Sequence, residues 1–441
     1  MTANKFCLLA AEKNGDLTEI PGLEPCGMKA GHFFRIGKKD LIRLHPDSEI
    51  FILPDRLPVG LDPESGRYLT VDEVRTAGRS SSCYAAAAFL PPGYTALYSA
   101  AYREMPGCRM LPLFSYSPVF TFKGELYASG IRIDREKRQE LAGMDDSLLR
   151  ERVLSYRDLF PYNRLVRHLE KCALTYCCPA AKNFFLERYE APLPSSPSCN
   201  SRCIGCISHQ PGGRCPVTQP RIDFVPSASE IAGIALHHFR KVKDPVVSFG
   251  QGCEGEPLLS APEIKEALRM IRAQTGKGMI NLNTNASLPE EIEGLFDAGL
   301  DSIRVSVNSL RAEHYRSYYR PRGYVFEDVM RSIKVAKEKG GFVSINYLSM
   351  PGFTDLDDEA GALMDLLSEG CVDMIQWRNL NYDPAAYFRD LGVNPPRQGL
   401  IGMRVLINSV KREFPGIMNG YFNPSPERIK RFRKDLCERG A

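Results

Sequence analysis

Between about residues 225 and 380, short β-branched runs alternate with amphipathic helical patterns, and this alternation constrains the fold more than any other feature. Runs at 245–249, 279–283, 302–307, 342–348 and 372–377 read as strands. The helical stretches between them carry start and stop signals. Ser227 and Glu230 form a capping-box pair ahead of Ile231, Ile234 and Ala235. Pro262 suits a first helical turn, with Ile264, Ala267, Leu268 and Ile271 following on one face. Gly299 stands where a helix C-cap belongs, and Phe326, Val329, Met330 and Ile333 line a helix that ends at Gly340-Gly341. Alternating strands and helices predict a parallel sheet with right-handed crossovers, open or closed into a barrel, and ligands at the C-terminal strand ends.

The flanks read differently. Residues 1–140 predict a β-rich accessory domain, with apolar runs at 33–36 and 49–53 and a hairpin turning at Lys123-Gly124 between 119–122 and 125–133. The Ala-rich stretch 83–90 predicts a short helix. Residues 141–190 predict a helical connector opened by Asp145 and Asp146, and a Pro/Ser-rich loop follows at 191–198. The α/β core is placed at 191–390. A helical tail occupies 391–441, with a basic, solvated stretch at 428–439. A hydrophobic share of 43% excludes disorder as the main state, and Lys plus Arg 57 against Asp plus Glu 53 leaves +4, too weak to demand a nucleic-acid partner. No apolar run approaches the roughly 20 residues of a membrane span, and the run at 6–11 is shorter than a secretory h-region, so a soluble cytoplasmic protein is expected.

In a reducing compartment, grouped cysteines argue for a metal before a disulfide. Cys199-Asn-Ser-Arg-Cys203-Ile-Gly-Cys206 places three thiols within one loop. Thiolates suit zinc or iron–sulfur clusters. Zinc in a structural site wants four ligands, which His209 or Cys215 would have to complete. A [4Fe–4S] cluster with three protein ligands keeps one iron open.

The spacing Cys-x3-Cys-x2-Cys resembles the signature of the radical S-adenosylmethionine (SAM) superfamily, and the resemblance extends over roughly 185–380. Ser248-Phe-Gly-Gln-Gly-Cys-Glu-Gly-Glu-Pro-Leu-Leu259 is similar to its Gly-Glu-Pro motif after the second strand. Asn283-Thr-Asn285 is similar to its polar segment after the third, and Leu300-Asp-Ser-Ile-Arg-Val-Ser-Val-Asn308 to its fourth strand. The resemblance implies a partial (β/α)6 barrel. Cys199, Cys203 and Cys206 would hold three irons of a [4Fe–4S] cluster, and SAM would chelate the fourth and be cleaved reductively to a 5′-deoxyadenosyl radical. It implies that Glu256 accepts from the SAM amino group and that Gly255 lets backbone pass close to the ligand. Asn285, Ser306 and Asn308 would serve ribose hydroxyls or the methionyl carboxylate, and Asn346, Trp377 or Arg378 would meet adenine or substrate. It implies a reductant such as flavodoxin or ferredoxin, and a substrate of either the peptide or the nucleotide class, with specificity supplied by the 1–140 region and the tail.

One departure is Gly205, where the family often has an aromatic residue before the third cysteine; Ile204 or His209 is the expected replacement. Cys172, Cys177 and Cys178 read as core residues, Cys215 and Cys253 as packing residues, and His237-His238 as structural. The competing expectation is a cluster-binding or zinc-stabilised α/β protein without SAM chemistry.

Overall fold

The computed structural model describes residues 6–76, 79–210, 212–394 and 398–440. These fall into two compact units. One comprises Asp134–Tyr347, Leu363–Trp377 and Lys411–Ala441, and the other Met1–Ile133, Leu348–Ala362 and Arg378–Val410.

In the first unit, seven parallel strands lie side by side in chain order: Glu190–Pro192, Val246–Phe249, Met279–Thr284, Ser302–Val307, Phe342–Ser349, Met374–Asn379 and Met418–Gly420. Sequential order with crossover helices makes this a partial barrel. Every residue of Val246–Phe249 and Met279–Thr284 is buried, as strands covered on both faces must be. Helices α1 (Asp146–Leu159), α2 (Arg164–Leu174) and α3 (Pro179–Phe185) precede the sheet. Then α4 (Ala228–Lys241), α5 (Ala261–Arg272), α6 (Pro289–Asp297), α7 (Ala312–Tyr319) and α8 (Phe326–Glu338) lie between its strands. The Ser227–Glu230 capping box forms, and Gly299 adopts φ +113 after α6. His237 and His238 are structural: the first bonds Tyr156 Oη at 3.0 Å and the second the Tyr189 carbonyl at 3.3 Å.

The two outermost strands differ from the sequence expectation. Glu190–Pro192 and Met418–Gly420 are three residues each, too short to show a period, and the latter comes from the segment read as a helical tail. Just beyond it, Asn423 is the hub of a polar layer inside the barrel. Its Nδ2 donates to Glu190 Oε1 (2.7 Å), Ser248 Oγ (3.1 Å) and Asn283 Oδ1 (3.3 Å). Its Oδ1 accepts from Gln376 Nε2 (2.9 Å) and Arg304 Nη1 (3.4 Å). Five strands therefore converge on one amide that is 1% exposed. Asn423→Ala should cost ~2–4 kcal/mol in chemical denaturation, because several buried polar groups lose their partner together; a loss below ~0.5 kcal/mol would contradict the hub.

The second unit is built on two antiparallel sheets among its described residues. Ser117–Phe122 and Glu125–Arg132 form the expected hairpin, with Lys123 at φ 53 and Gly124 at φ 76 supplying the two left-handed turn positions. The Ala-rich stretch is not a helix; it lies in the strand Arg79–Phe89. Ala85 and Ala87 face one apolar core with Leu53, Tyr102 and Tyr116, while Ala86 and Ala88 face another with Leu9, Leu90 and Val119. A strand pressed between two cores has room only for small side chains, and that packing overrides the helical preference of alanine. Among the described residues no helix is long and apolar enough to cross a membrane.

Candidate active site

The cysteine loop follows the first barrel strand and is docked by the motif after the second. Glu254 Oε2 accepts from Ser195 N (2.7 Å), Ser196 N (3.1 Å) and Ser195 Oγ (3.1 Å). Gly255 N donates to Ser196 O at 2.7 Å and Glu256 N to Ser198 O at 2.8 Å, a short backbone ladder ending one residue before Cys199. A Cβ at position 255 would stand 1.9 Å from Ser198 O, so the close approach that glycine permits here is to the loop's own backbone. On the other side, Arg202 N donates to Tyr319 O, Ile204 N to Tyr318 O and Arg322 N to Asn200 O. Ser201 Oγ meets Tyr324 Oη at 2.7 Å, and Gln210 Nε2 closes the loop on Ile204 O and Cys206 O, both at 2.9 Å.

Burial pushes the Cys199 thiol up to about 11 and Cys203 well above the usual range, with the neighbouring thiols adding to it. Cys206 is held down: burial opposes ionisation there, but bonds from Ser208 and the Arg221 guanidinium outweigh it. Arg221 Nη2 lies 3.4 Å from Cys206 Sγ, and Arg221 Nε holds Ser208 Oγ at 3.1 Å.

Glu256 lies at the open end of the sheet, 4% exposed. Its Oε1 accepts from Thr284 Oγ1 (2.5 Å) and Leu258 N (3.2 Å), and its Oε2 from Asn285 N (2.8 Å). Burial outweighs those donors and raises the carboxyl to about 7; Glu254 is raised to about 7 for the same reason. Three of the carboxylate's roughly four acceptor positions are occupied, leaving one. Asn285 Nδ2 reaches Asn200 Oδ1 (2.7 Å) and Ser201 Oγ (3.0 Å), tying the third strand's end to the cysteine loop. Ser306 and Asn346 are paired in register on adjacent strands, with Nδ2 donating to Oγ at 3.1 Å, and Asn346 Oδ1 is buried without a partner. Asn308 is fully buried, and its Nδ2 lies 3.4 Å from His314 O. Trp377 is fully buried too, with its indole N–H bonded to Asn419 Oδ1 at 2.8 Å. Arg221, Tyr319 at the end of α7 and Tyr324 beyond it belong to no motif; Thr284 lies inside the Asn283-Thr-Asn285 segment but is not among the expected site residues.

Among the described residues, three donor atoms gather within 4.8 Å of one another at His168, Cys172 and Cys253, and not at the cysteine loop with His209 or Cys215. Three thiols held in one loop are donors of the type an iron–sulfur cluster takes. Tyr319 adds a second observation: its hydroxyl is buried without a hydrogen-bond partner, and Cys203 is among its electrostatic neighbours.

Residues 193–367 match the family described as the radical SAM superfamily. This segment of the chain is a radical SAM domain. Curated relatives are distant. The chain is 28% identical to GTP 3′,8-cyclase of Chlorobaculum tepidum over 174 residues, 39% of this chain and 48% of that one. It is 31% identical to the Aquifex aeolicus protein of the same name over 162 residues, 36% and 46% of the two chains. Against the FeMo cofactor biosynthesis protein NifB of Klebsiella pneumoniae it is 24% identical over 182 residues, 37% of each. The chain thus spans about half, or less, of the length of these relatives. The solved structure of methylornithine synthase (PylB) aligns with 64% of this chain and 77% of its own at 17% identity and TM-score 0.36. Radical SAM proteins use a [4Fe–4S] cluster and SAM.

Proposed function

We propose that the chain is a radical SAM enzyme whose cluster is held by Cys199, Cys203 and Cys206 and whose SAM is oriented by Glu256, Asn285, Ser306 and Asn308. When bound, the reduced cluster and SAM supply a 5′-deoxyadenosyl radical that abstracts hydrogen from a substrate. The observation that carries the reading is the backbone ladder from Gly255 and Glu256 to Ser196 and Ser198, which fixes the cysteine loop against the carboxylate. In this reading Glu256 accepts the methionyl ammonium at its remaining position. Gly255 acts through the loop, and Asn285 positions it by binding Asn200 and Ser201. The unpartnered Asn346 Oδ1 beside Ser306 supports a polar ligand at the ends of the fourth and fifth strands. Radical SAM enzymes need a one-electron reductant; a flavodoxin or ferredoxin is the proposed donor, in a reducing cytoplasm where the thiols stay available. The family match at residues 193–367 spans these cofactor residues and carries no substrate, so the substrate stays open between the peptide and nucleotide classes.

The test is anaerobic reconstitution with iron and sulfide, then SAM, reductant and an assay for 5′-deoxyadenosine. Product that disappears in Cys203→Ala is the expected result. The carboxyl of Glu256, raised to about 7, adds a pH signature. Below that value the group is neutral and cannot pair with an ammonium. SAM affinity should therefore rise about tenfold per pH unit up to pH ~7 and level off above it. Glu256→Gln should flatten the profile and weaken binding; an unchanged profile would remove Glu256 from the SAM site.

A further inference from the structure

The cysteines that the sequence reading assigned to packing come together away from the SAM loop. His168 and Cys172 stand four residues apart on α2, hence on one helix face, and His168 Nε2 lies 3.5 Å from Cys172 Sγ. Cys253 reaches them from the loop after the second strand, and the three donor atoms all lie within 4.8 Å of one another. Cys172 and Cys253 are 2% and 3% exposed. We propose that His168, Cys172 and Cys253 bind a soft divalent cation, zinc by its chemistry, at a site separate from the one formed by Cys199, Cys203 and Cys206.

Three arguments carry the proposal. The first is distance: zinc–sulfur at about 2.3 Å and zinc–nitrogen at about 2.0–2.1 Å in a tetrahedron put the S···N edge near 3.6 Å, and the pair on α2 already stands at 3.5 Å. The second is charge: two thiolates and a neutral imidazole around a dication sum to zero, which suits a buried site. The third is donor type: a Cys172–Cys253 disulfide would need no imidazole, whereas the two sulfurs and one ring nitrogen found here are the donors zinc prefers. Cys178, at the start of α3, is within electrostatic reach of both sulfurs and is the nearest candidate for a fourth donor. Bound there, the ion would tie α2 to the loop that carries Glu254, Gly255 and Glu256, two residues from the ladder that docks the cysteine loop.

The proposal does not depend on SAM chemistry, and its test keeps the two sites apart. The full chain is purified anaerobically, and zinc and iron are counted by mass spectrometry. About one zinc per chain is expected. It should fall at least about tenfold in Cys172→Ala and in Cys253→Ala with iron retained. The triple variant Cys199→Ala, Cys203→Ala, Cys206→Ala should lose iron and keep zinc. Because a core cysteine variant can fail to fold, that triple variant also serves as host for a cobalt(II) titration. One equivalent should give thiolate-to-cobalt charge-transfer and tetrahedral d–d bands that zinc abolishes. A chain that binds neither metal stoichiometrically, alanine variants with unchanged zinc, or a Cys172–Cys253 disulfide in unreduced peptide maps would each overturn the site.

Discussion

Gly255→Ala is expected to strip the chain of its cluster while leaving the barrel folded. The added Cβ would meet Ser198 O at 1.9 Å, Ser198 C at 2.4 Å and Cys199 N at 3.2 Å, all backbone atoms. Relief therefore requires the cysteine loop to move, breaking the ladder from Gly255 N to Ser196 O and from Glu256 N to Ser198 O. Iron content after reconstitution should drop at least about tenfold, since a loop displaced by an ångström no longer offers three thiols at cluster spacing. Gly252→Ala is the matched control. Its Cβ would meet Ile207 Cδ1 at 2.6 Å, the end of a flexible side chain that can rotate away. Full iron loading in Gly255→Ala would show that the close approach is not what fixes the loop.

Asp383→Ala is expected to destabilise the unit that contains it by ~3–5 kcal/mol. Arg56 is 1% exposed and its Nη2 lies 2.7 Å from Asp383 Oδ2. The same carboxylate accepts from Leu111 N (3.0 Å) and Tyr102 Oη (3.3 Å), and it caps the helix Pro384–Leu391 through Ala385 N (3.0 Å) and Ala386 N (3.3 Å). Removing it leaves a buried guanidinium without its closest counter-charge and a helix without its cap. Replacing both partners with apolar residues of similar volume, as in the double variant Arg56→Met, Asp383→Leu, should recover much of the loss. Denaturant unfolding decides; a loss under ~1 kcal/mol for Asp383→Ala would mean that the neighbouring Glu104, 3.5 Å from Arg56, carries the charge instead.

The sequence showed the core of the barrel because strands such as Ser302–Val307 are long enough to have a face. Ser302, Arg304 and Ser306 alternate with the buried Ile303, Val305 and Val307, and that pattern needs no tertiary information. Glu190–Pro192 and Met418–Gly420 have no such length, and Asn423 shows its role only once five strands surround it. Ala85–Ala88 misled because its side chains answer to two cores that the local sequence does not contain. At the site, the cysteine loop and the Gly-Glu-Pro turn are continuous motifs and could be read. Arg221, Tyr319 and Tyr324 meet the loop from distant stretches, and their chemistry appears only when the chain folds. The meeting of Cys172 with Cys253 was hidden for the same reason.

The most direct test of the central claim is electron paramagnetic resonance of the reconstituted, reduced chain with and without SAM. A three-thiol cluster with an open iron predicts a [4Fe–4S]+ signal that shifts when SAM is added and is absent in Cys203→Ala. A chain carrying zinc at the cysteine loop in place of iron, or a cluster signal indifferent to SAM, would contradict it.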